Sequence, residues 1–323
     1  MKKLLLLTCI FAATSIFCYE NPESCDSCYK NWFKGGALSL SGRCLIKGDY
    51  KIKNKVFIEN VTHFYGKTWL PINIPRRVGL TEIFNIRIGF LPHSDLSVIF
   101  REQSQYSGPY KSSKLADTSV RVAAQLLIPK KALNAWSWRL LLEQTFPTGH
   151  YKNLNLEKKD VEASGLGYYK TKAILAAELL TNIEKRLLRT RVNLSYGYSP
   201  TSCLLTNYNI YGGGLGTRGK LGPVHDCFAI LGLEYTLTQN VCLVSDFEYS
   251  YSSKALFKGI KGRSLFGTEA LTERPVFESF NMAPGLQINF SYNWGLNLCC
   301  WFSAAGKNTP SFQSALIELV VRN

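Results

Sequence analysis

Four histidines are spread along the chain, at His63, His93, His150 and His225. A barrel-type phospholipase needs a serine nucleophile, a histidine base and a polar group that orients the base. His93 falls in a short turn and His150 in a long polar link. Only His225, near a strand end, has a suitable place, and no serine signature accompanies it. Cysteines stand at 9, 18, 25, 28, 44, 203, 227, 242, 299 and 300. Cys25-Asp26-Ser27-Cys28 is a CxxC pair, but a redox motif needs a strand before it and a helix after it. The flanking residues predict neither, so a local disulfide or a free pair is the plainer reading. No second CxxC or histidine pair stands at zinc spacing. The glycine run Gly212–Gly216 lacks the strand-to-helix setting of a phosphate loop and reads as a flexible loop or a close approach of two strands. The sequence therefore predicts no catalytic residue, no metal ligand and no cofactor.

Charged residues give a more regular signal. From residue 80 onward, polar side chains recur on every second position, opposite an apolar face. If the apolar face meets lipid, the other face lines a lumen. Its basic members are Arg87, Arg121, Arg139, Lys170, Lys172, Arg189 and Arg191. Its acidic members are Glu143, Glu178, Glu234, Asp246 and Glu248. Asn85, Arg101, Gln125, Asn193, Gln287 and Asn289 fall on the same face. The basic residues lie on the earlier strands, whereas Glu234, Asp246 and Glu248 lie on later ones. Opposed sectors of charge would set a transverse field across a water-filled lumen and favour polar or anionic solutes. In a narrow barrel the same charges could instead pair and close it.

The elements that hold these residues read as hairpins. Phe84, Ile86, Ile88 and Phe90 share one face, Pro92-His93-Ser94 turns, and Leu96, Val98 and Phe100 return. The unit recurs over 120–142, 169–198, 229–251 and 282–302, and a last strand covers 312–322. Longer polar links cover 104–117, 147–167, 199–224, 253–278 and 303–311. Short turns at one end and long loops at the other are the arrangement of an outer-membrane barrel. Five hairpins and one strand make eleven, and single-chain bacterial barrels use an even number. A twelfth strand is expected near Ala37–Ile46. The 55–64 segment is an alternative, which would change the count or leave a plug.

Composition fits this class. The 323 residues are 46% hydrophobic, 19% charged and 13% aromatic, with 17 Tyr, 18 Phe and 25 Gly. That mixture excludes a disordered or coiled-coil chain. Residues 279–306 carry no charge, but Asn281, Gln287, Asn289, Asn293 and Asn297 would be costly in a membrane helix. A soluble sandwich would show the same alternation. Strands of about ten residues with Trp136, Trp138, Tyr196, Tyr198, Tyr249, Tyr251 and Tyr292 near their ends favour a membrane girdle. Lys2 and Lys3 precede the uncharged run Leu4–Tyr19, which reads as a secretory signal peptide over 1–18. Acylation of Cys18 is an alternative. The expected order is a signal peptide at 1–18, an N-terminal segment at 19–70 that is a first strand or plug, and a barrel over 71–323.

Several stretches resemble the outer-membrane transporter family linked to the MetA pathway of phenol degradation. They are Pro75-Arg76-Arg77-Val78-Gly79, the hairpin Thr81–Phe100, Leu126-Leu127-Ile128-Pro129 and the strand-closing Phe146-Pro147-Thr148-Gly149. Leu231–Tyr251 and Pro284–Ser303 resemble its later hairpins, so the likeness spans residues 70–323. It implies an all-β transmembrane barrel that passes small, often aromatic or hydrophobic, compounds. It supplies no catalytic residue. The chain departs from the family in its Lys and Cys content and in ending Val320-Val321-Arg322-Asn323 without a terminal aromatic.

The expected function is a channel in the outer membrane of a Gram-negative bacterium, passing small polar, anionic or aromatic solutes by diffusion. The alternatives are a closed structural or surface-binding barrel, disulfide-linked into oligomers, and a barrel phospholipase. Net charge is +15, and lysines gather in the links: Lys152, Lys158 and Lys159, then Lys254, Lys258, Lys261 and Arg263. Outer-membrane lipid and lipopolysaccharide are thus expected partners. Nucleic acid is not, because no recognition helix or aromatic-basic motif accompanies the charge.

Overall fold

The computed structural model describes residues 33–129, 133–184, 186–291 and 293–323. The expected signal peptide, the CxxC pair and Tyr292 lie outside the described residues. The strands are β1 (Tyr50–Tyr65), β2 (Pro71–Leu91), β3 (Ser94–Ser107), β4 (Tyr110–Leu115), β5 (Thr118–Leu127), β6 (Trp136–Phe146), β7 (Lys170–Ile183) and β8 (Arg186–Ser199). They continue with β9 (Cys203–Thr206), β10 (Arg218–Leu221), β11 (Val224–Thr236), β12 (Val241–Ser252), β13 (Phe257–Ile260), β14 (Phe277–Asn289), β15 (Trp294–Lys307) and β16 (Thr309–Arg322).

Twelve of these form a closed antiparallel barrel in the order β1, β2, β3, β5, β6, β7, β8, β11, β12, β14, β15, β16. Closure comes from β1 pairing with β16, from Lys51↔Arg322 to Tyr65↔Thr309. No strand edge of the wall is left to seek a partner. The expected all-β fold and strand number agree with the structure.

One strand is not where the alternation placed it. Ala37–Ile46 is no strand, and the twelfth is β1, Tyr50–Tyr65, which contains the alternative 55–64 segment. The wall therefore begins at residue 50, within the segment set apart as 19–70. Its second strand also starts earlier than residue 80, at Pro71. Pairing of β1 with β2 jumps from Val61↔Arg77 to His63↔Asn73. The unpaired residues between Asn73 and Arg77 form a bulge that contains Pro75. A proline has no N–H to give a ladder, and a bulge removes that demand.

Outward residues make an apolar belt. Ile88, Leu194 and Leu243 are 46%, 52% and 44% exposed, unusual for aliphatic side chains unless lipid covers them. Trp136 and Trp294 stand near the turn end, and Tyr196, Tyr198 and Tyr249 near the loop end. Aromatic residues at both rims of an apolar belt are a membrane-interface pattern.

The long links fold on themselves. β9, β10 and β13 form a three-stranded sheet over the loop end, with Tyr168, Cys203, Leu205, Tyr211, Leu221, Val224 and Ala255 as its core. Burial pushes the Cys203 thiol up to about 12, so it packs as a neutral apolar group. Gly212–Gly216 is tied into this cap by Gly212↔Thr272 and Leu215↔Arg263 bridges. The expected loop at 303–311 is instead a tight reversal at Asn308, whose φ is 52°. Asn tolerates that left-handed backbone well.

Candidate functional site in the barrel lumen

Residues 33–49 run inside the barrel as an extended strap. From Leu38 to Cys44 every second N–H meets a wall side chain, and Ser39 N–H also reaches Asp246 Oδ2 (3.3 Å). Leu38 N–H donates to Asp246 Oδ2 (2.6 Å), Leu40 to Asn193 Oδ1 (2.6 Å), Gly42 to Glu178 Oε2 (3.2 Å) and Cys44 to Gln125 Oε1 (2.6 Å). At its two ends, Lys34 N–H donates to Gln287 Oε1 (3.0 Å) and Leu45 N–H to Asp95 Oδ2 (3.2 Å). Carbonyls are met as well. Asn297 Nδ2 donates to Gly35 O (2.9 Å), Arg139 Nη1 to Ser41 O (3.2 Å), Gln125 Nε2 to Gly42 O (2.9 Å) and Arg87 Nη2 to Arg43 O (2.7 Å).

These anchors sit in turn on β14 and β15, β12, β8, β7, β6 and β5, β3, and β2. The strap therefore circles almost the whole inner wall before entering β1. Polar wall side chains do for it what a neighbouring strand does in a sheet. Its alternation predicted an extended chain correctly; the identity of its partner was the error. Gly42 is required there, because a β-carbon would lie 2.6 Å from Glu178 N.

The charged residues expected to face the lumen lie on its inner wall, and they pair mostly with neighbours along the wall. Arg121 Nε donates to Glu143 Oε2 (2.9 Å), and Lys172 lies 3.5 Å from the same carboxylate. Arg189 reaches Glu234 at 2.7 Å, and Arg191 reaches Glu234 at 2.9 Å and Glu178 at 3.2 Å. Lys170 pairs with Asp226. Arg139 and Arg87 share Asp95, at 2.7 and 2.6 Å. Asp246 accepts from the strap, and Glu248 accepts from Asn281 Nδ2 (3.1 Å).

Sequence reasoning missed the Lys51, Lys53 and Lys55 row on β1, which faces inward. Glu318 on β16 holds Lys53 at 2.8 Å and Lys55 at 3.2 Å. A lysine at every second position was the available signal for a lumen-facing strand. Asp95 was also missed, because it directly follows a turn.

Cations outnumber carboxylates in most of these groups. Lys53 and Lys55 share one acid, as do Arg87 with Arg139 and Arg121 with Lys172. They surround a cavity of about 60 Å³ lined by Lys51, Lys53, Lys55, Arg87, Arg121, Arg139 and Arg191, and floored by the strap at Gly35 and Ser39–Ser41. At about 15 Å³ per water centre it holds about four waters. Arg139 Nε, Asn85 Oδ1 and Ser97 Oγ, on three of its lining residues, have no hydrogen-bond partner in the described chain.

Around His225, Nδ1 lies 2.6 Å from Tyr196 Oη, and the ring stacks on Tyr198. The nearby Ser253 hydroxyl accepts from the His225 backbone N–H (2.9 Å). Cys227 and Cys300 are exposed on the outer face, whereas Cys242 and Cys299 are buried on the inner one.

A closed wall, an apolar exterior and a charged, strapped interior can be compared with solved structures. An outer membrane channel from Pseudomonas putida F1 superposes with a TM-score of 0.60 over 87% of this chain and 97% of that one, at 13% identity. This chain shares that channel's fold. The transport unit of the autotransporter AIDA-I from Escherichia coli (TM-score 0.45, 8% identity, 97% and 96% coverage) and the NanC porin (0.43, 8%, 82% and 98%) are more distant. No family model matches the sequence, and no curated protein matches it.

Proposed function

We propose that the chain is an outer-membrane channel of a Gram-negative bacterium that passes small solutes through a cation-rich lumen narrowed by residues 33–49. The observation that carries this reading is the combination of an apolar outer belt with a charged inner wall that keeps a central cavity. A barrel serving only as an anchor has no need of so many buried charges, each of which is costly to desolvate. The lining favours anionic and polar solutes over the small aromatic compounds that the MetA-pathway resemblance implies. Residues 1–18 act as the cleaved signal, and the short turns face the periplasm.

A second reading, a closed structural barrel, is favoured by the strap itself and by wall charges such as Glu318 and Asp95 that are 0% exposed. Planar-bilayer recording of the refolded chain separates the two. Discrete conductance steps are expected. Silence across a wide voltage range contradicts the channel and supports the closed barrel.

Lipopolysaccharide remains the proposed partner of the loop end. On the exposed face of the cap, Lys220 lies directly opposite Lys258, in a sheet that also presents Arg218. Like charges paired across strands destabilise a sheet, and an anionic lipid surface would relieve that cost.

A further inference from the structure

Three cations converge on one point in the lumen. The position a β-carbon would take at Gly35 lies 3.2 Å from Lys53 Nζ, 3.4 Å from Arg191 Nη1 and 3.8 Å from Lys51 Nζ. Gly35 has a φ of +126°, a conformation side chains disfavour, so the strap leaves that space to the cations. The carboxylates behind them are shared or absent. Lys53 divides Glu318 with Lys55, and Arg191 divides Glu178 and Glu234 with Arg189. Lys51 has no carboxylate within ion-pair distance among the described residues and donates to Lys34 O at 2.5 Å. An ammonium carries three donors, so Lys51 and Lys53 each keep N–H groups for a ligand. Arg139, 2% exposed, adds an unpartnered Nε on the same cavity wall. Among the described residues no carboxylate lines the cavity.

We propose that this cavity is a binding site for a small, multiply charged oxyanion of the phosphate or sulfate class. Its oxygens would be held by Lys51, Lys53 and Arg191. Two charges and several acceptor oxygens answer converging cations better than one halide can, because each oxygen takes its own charge-assisted hydrogen bond. The cavity of about 60 Å³ suits the free ion rather than a phosphorylated solute. That this anion is also the permeating solute rests on the channel reading; its binding does not.

The test uses the full mature chain refolded in uncharged detergent at low salt, titrated calorimetrically with inorganic phosphate. One saturable site is expected. Lys51→Gln keeps a polar N–H donor on the same strand position and leaves no carboxylate unpaired, so it should fold. Loss of one charge-assisted contact should weaken binding about tenfold. Lys111→Gln, at an exposed position of β4, should leave binding unchanged. Glycerol 3-phosphate should bind more weakly than the free ion; equal binding assigns the site to any phosphoryl group of the same class. Absence of saturable binding, or equal binding by wild type and Lys51→Gln, overturns the site. If such protein still conducts in bilayers, the channel reading stands without the site. If it binds phosphate but never conducts, the site stands without the channel.

Discussion

Replacing Asn193 and Asp246 together by alanine should turn the narrowed channel into a wider, more readily conducting one. These two side chains accept the Leu38 and Leu40 N–H groups, and Asn193 also donates to Leu40 O. They hold the middle of the strap against β8 and β12. Each buried anchor contributes on the order of 1.5 kcal/mol, so losing both shifts the seated-to-released ratio by roughly a hundredfold. Among the described residues neither side chain makes an ion pair whose loss would strand a cation in the wall; the nearby Arg191 is held by Glu178 and Glu234. Single-channel recording should show a much higher open probability than wild type, with the boiled-to-unboiled gel shift unchanged. Unaltered conductance in a correctly folded double variant would mean that residues 33–49 do not control the opening.

Asp95→Ala should be the most damaging single substitution in the lumen. Asp95 is 0% exposed and accepts from Arg87 Nε (2.8 Å) and Nη2 (2.6 Å), Arg139 Nη2 (2.7 Å) and Leu45 N–H (3.2 Å). Removing it leaves two guanidinium groups in a closed space with no counter-charge, which costs about 3–5 kcal/mol. The strap also loses its anchor next to β1. The urea midpoint of the folded, faster- or slower-running gel band should fall markedly. Glu82→Ala is the comparison. Glu82 lies on the outward face and, among the described residues, accepts only an exposed hydrogen bond from Asn54 (2.8 Å), so a change within about 0.5 kcal/mol is expected. Equal midpoints for the two variants would show that the wall pairs do not hold the barrel together.

The hairpins were legible because a half-buried strand has a strict period of two and a turn has its own residue types. Leu96–Phe100 and Leu296–Phe302 are readable on that basis alone. The same period misplaced the twelfth strand. Ala37–Ile46 alternates because its backbone is extended, but its hydrogen-bond partners are side chains of the wall, and alternation carries no record of the partner. β1 was harder to see because its inward face is Lys51, Lys53 and Lys55 rather than a mixed polar row. Its outward face, Ile52, Asn54 and Val56, is only partly apolar. The inward charges on the hairpins followed from parity. Their pairing did not, because Arg191 meets Glu178 and Glu234 only once the registers of β7, β8 and β11 are known. The cap was read as polar loops, since its core draws single residues such as Tyr168, Cys203 and Leu221 from distant links.

All of this depends on a closed cylinder that seats its apolar belt in lipid. Gel migration of the refolded chain, with and without boiling, tests that most directly. A closed barrel should resist the detergent of the gel unboiled, run at a different position from the boiled chain, and need detergent or lipid to stay in solution. One band at the same position in both lanes, from protein that remains dissolved without detergent, would contradict the account.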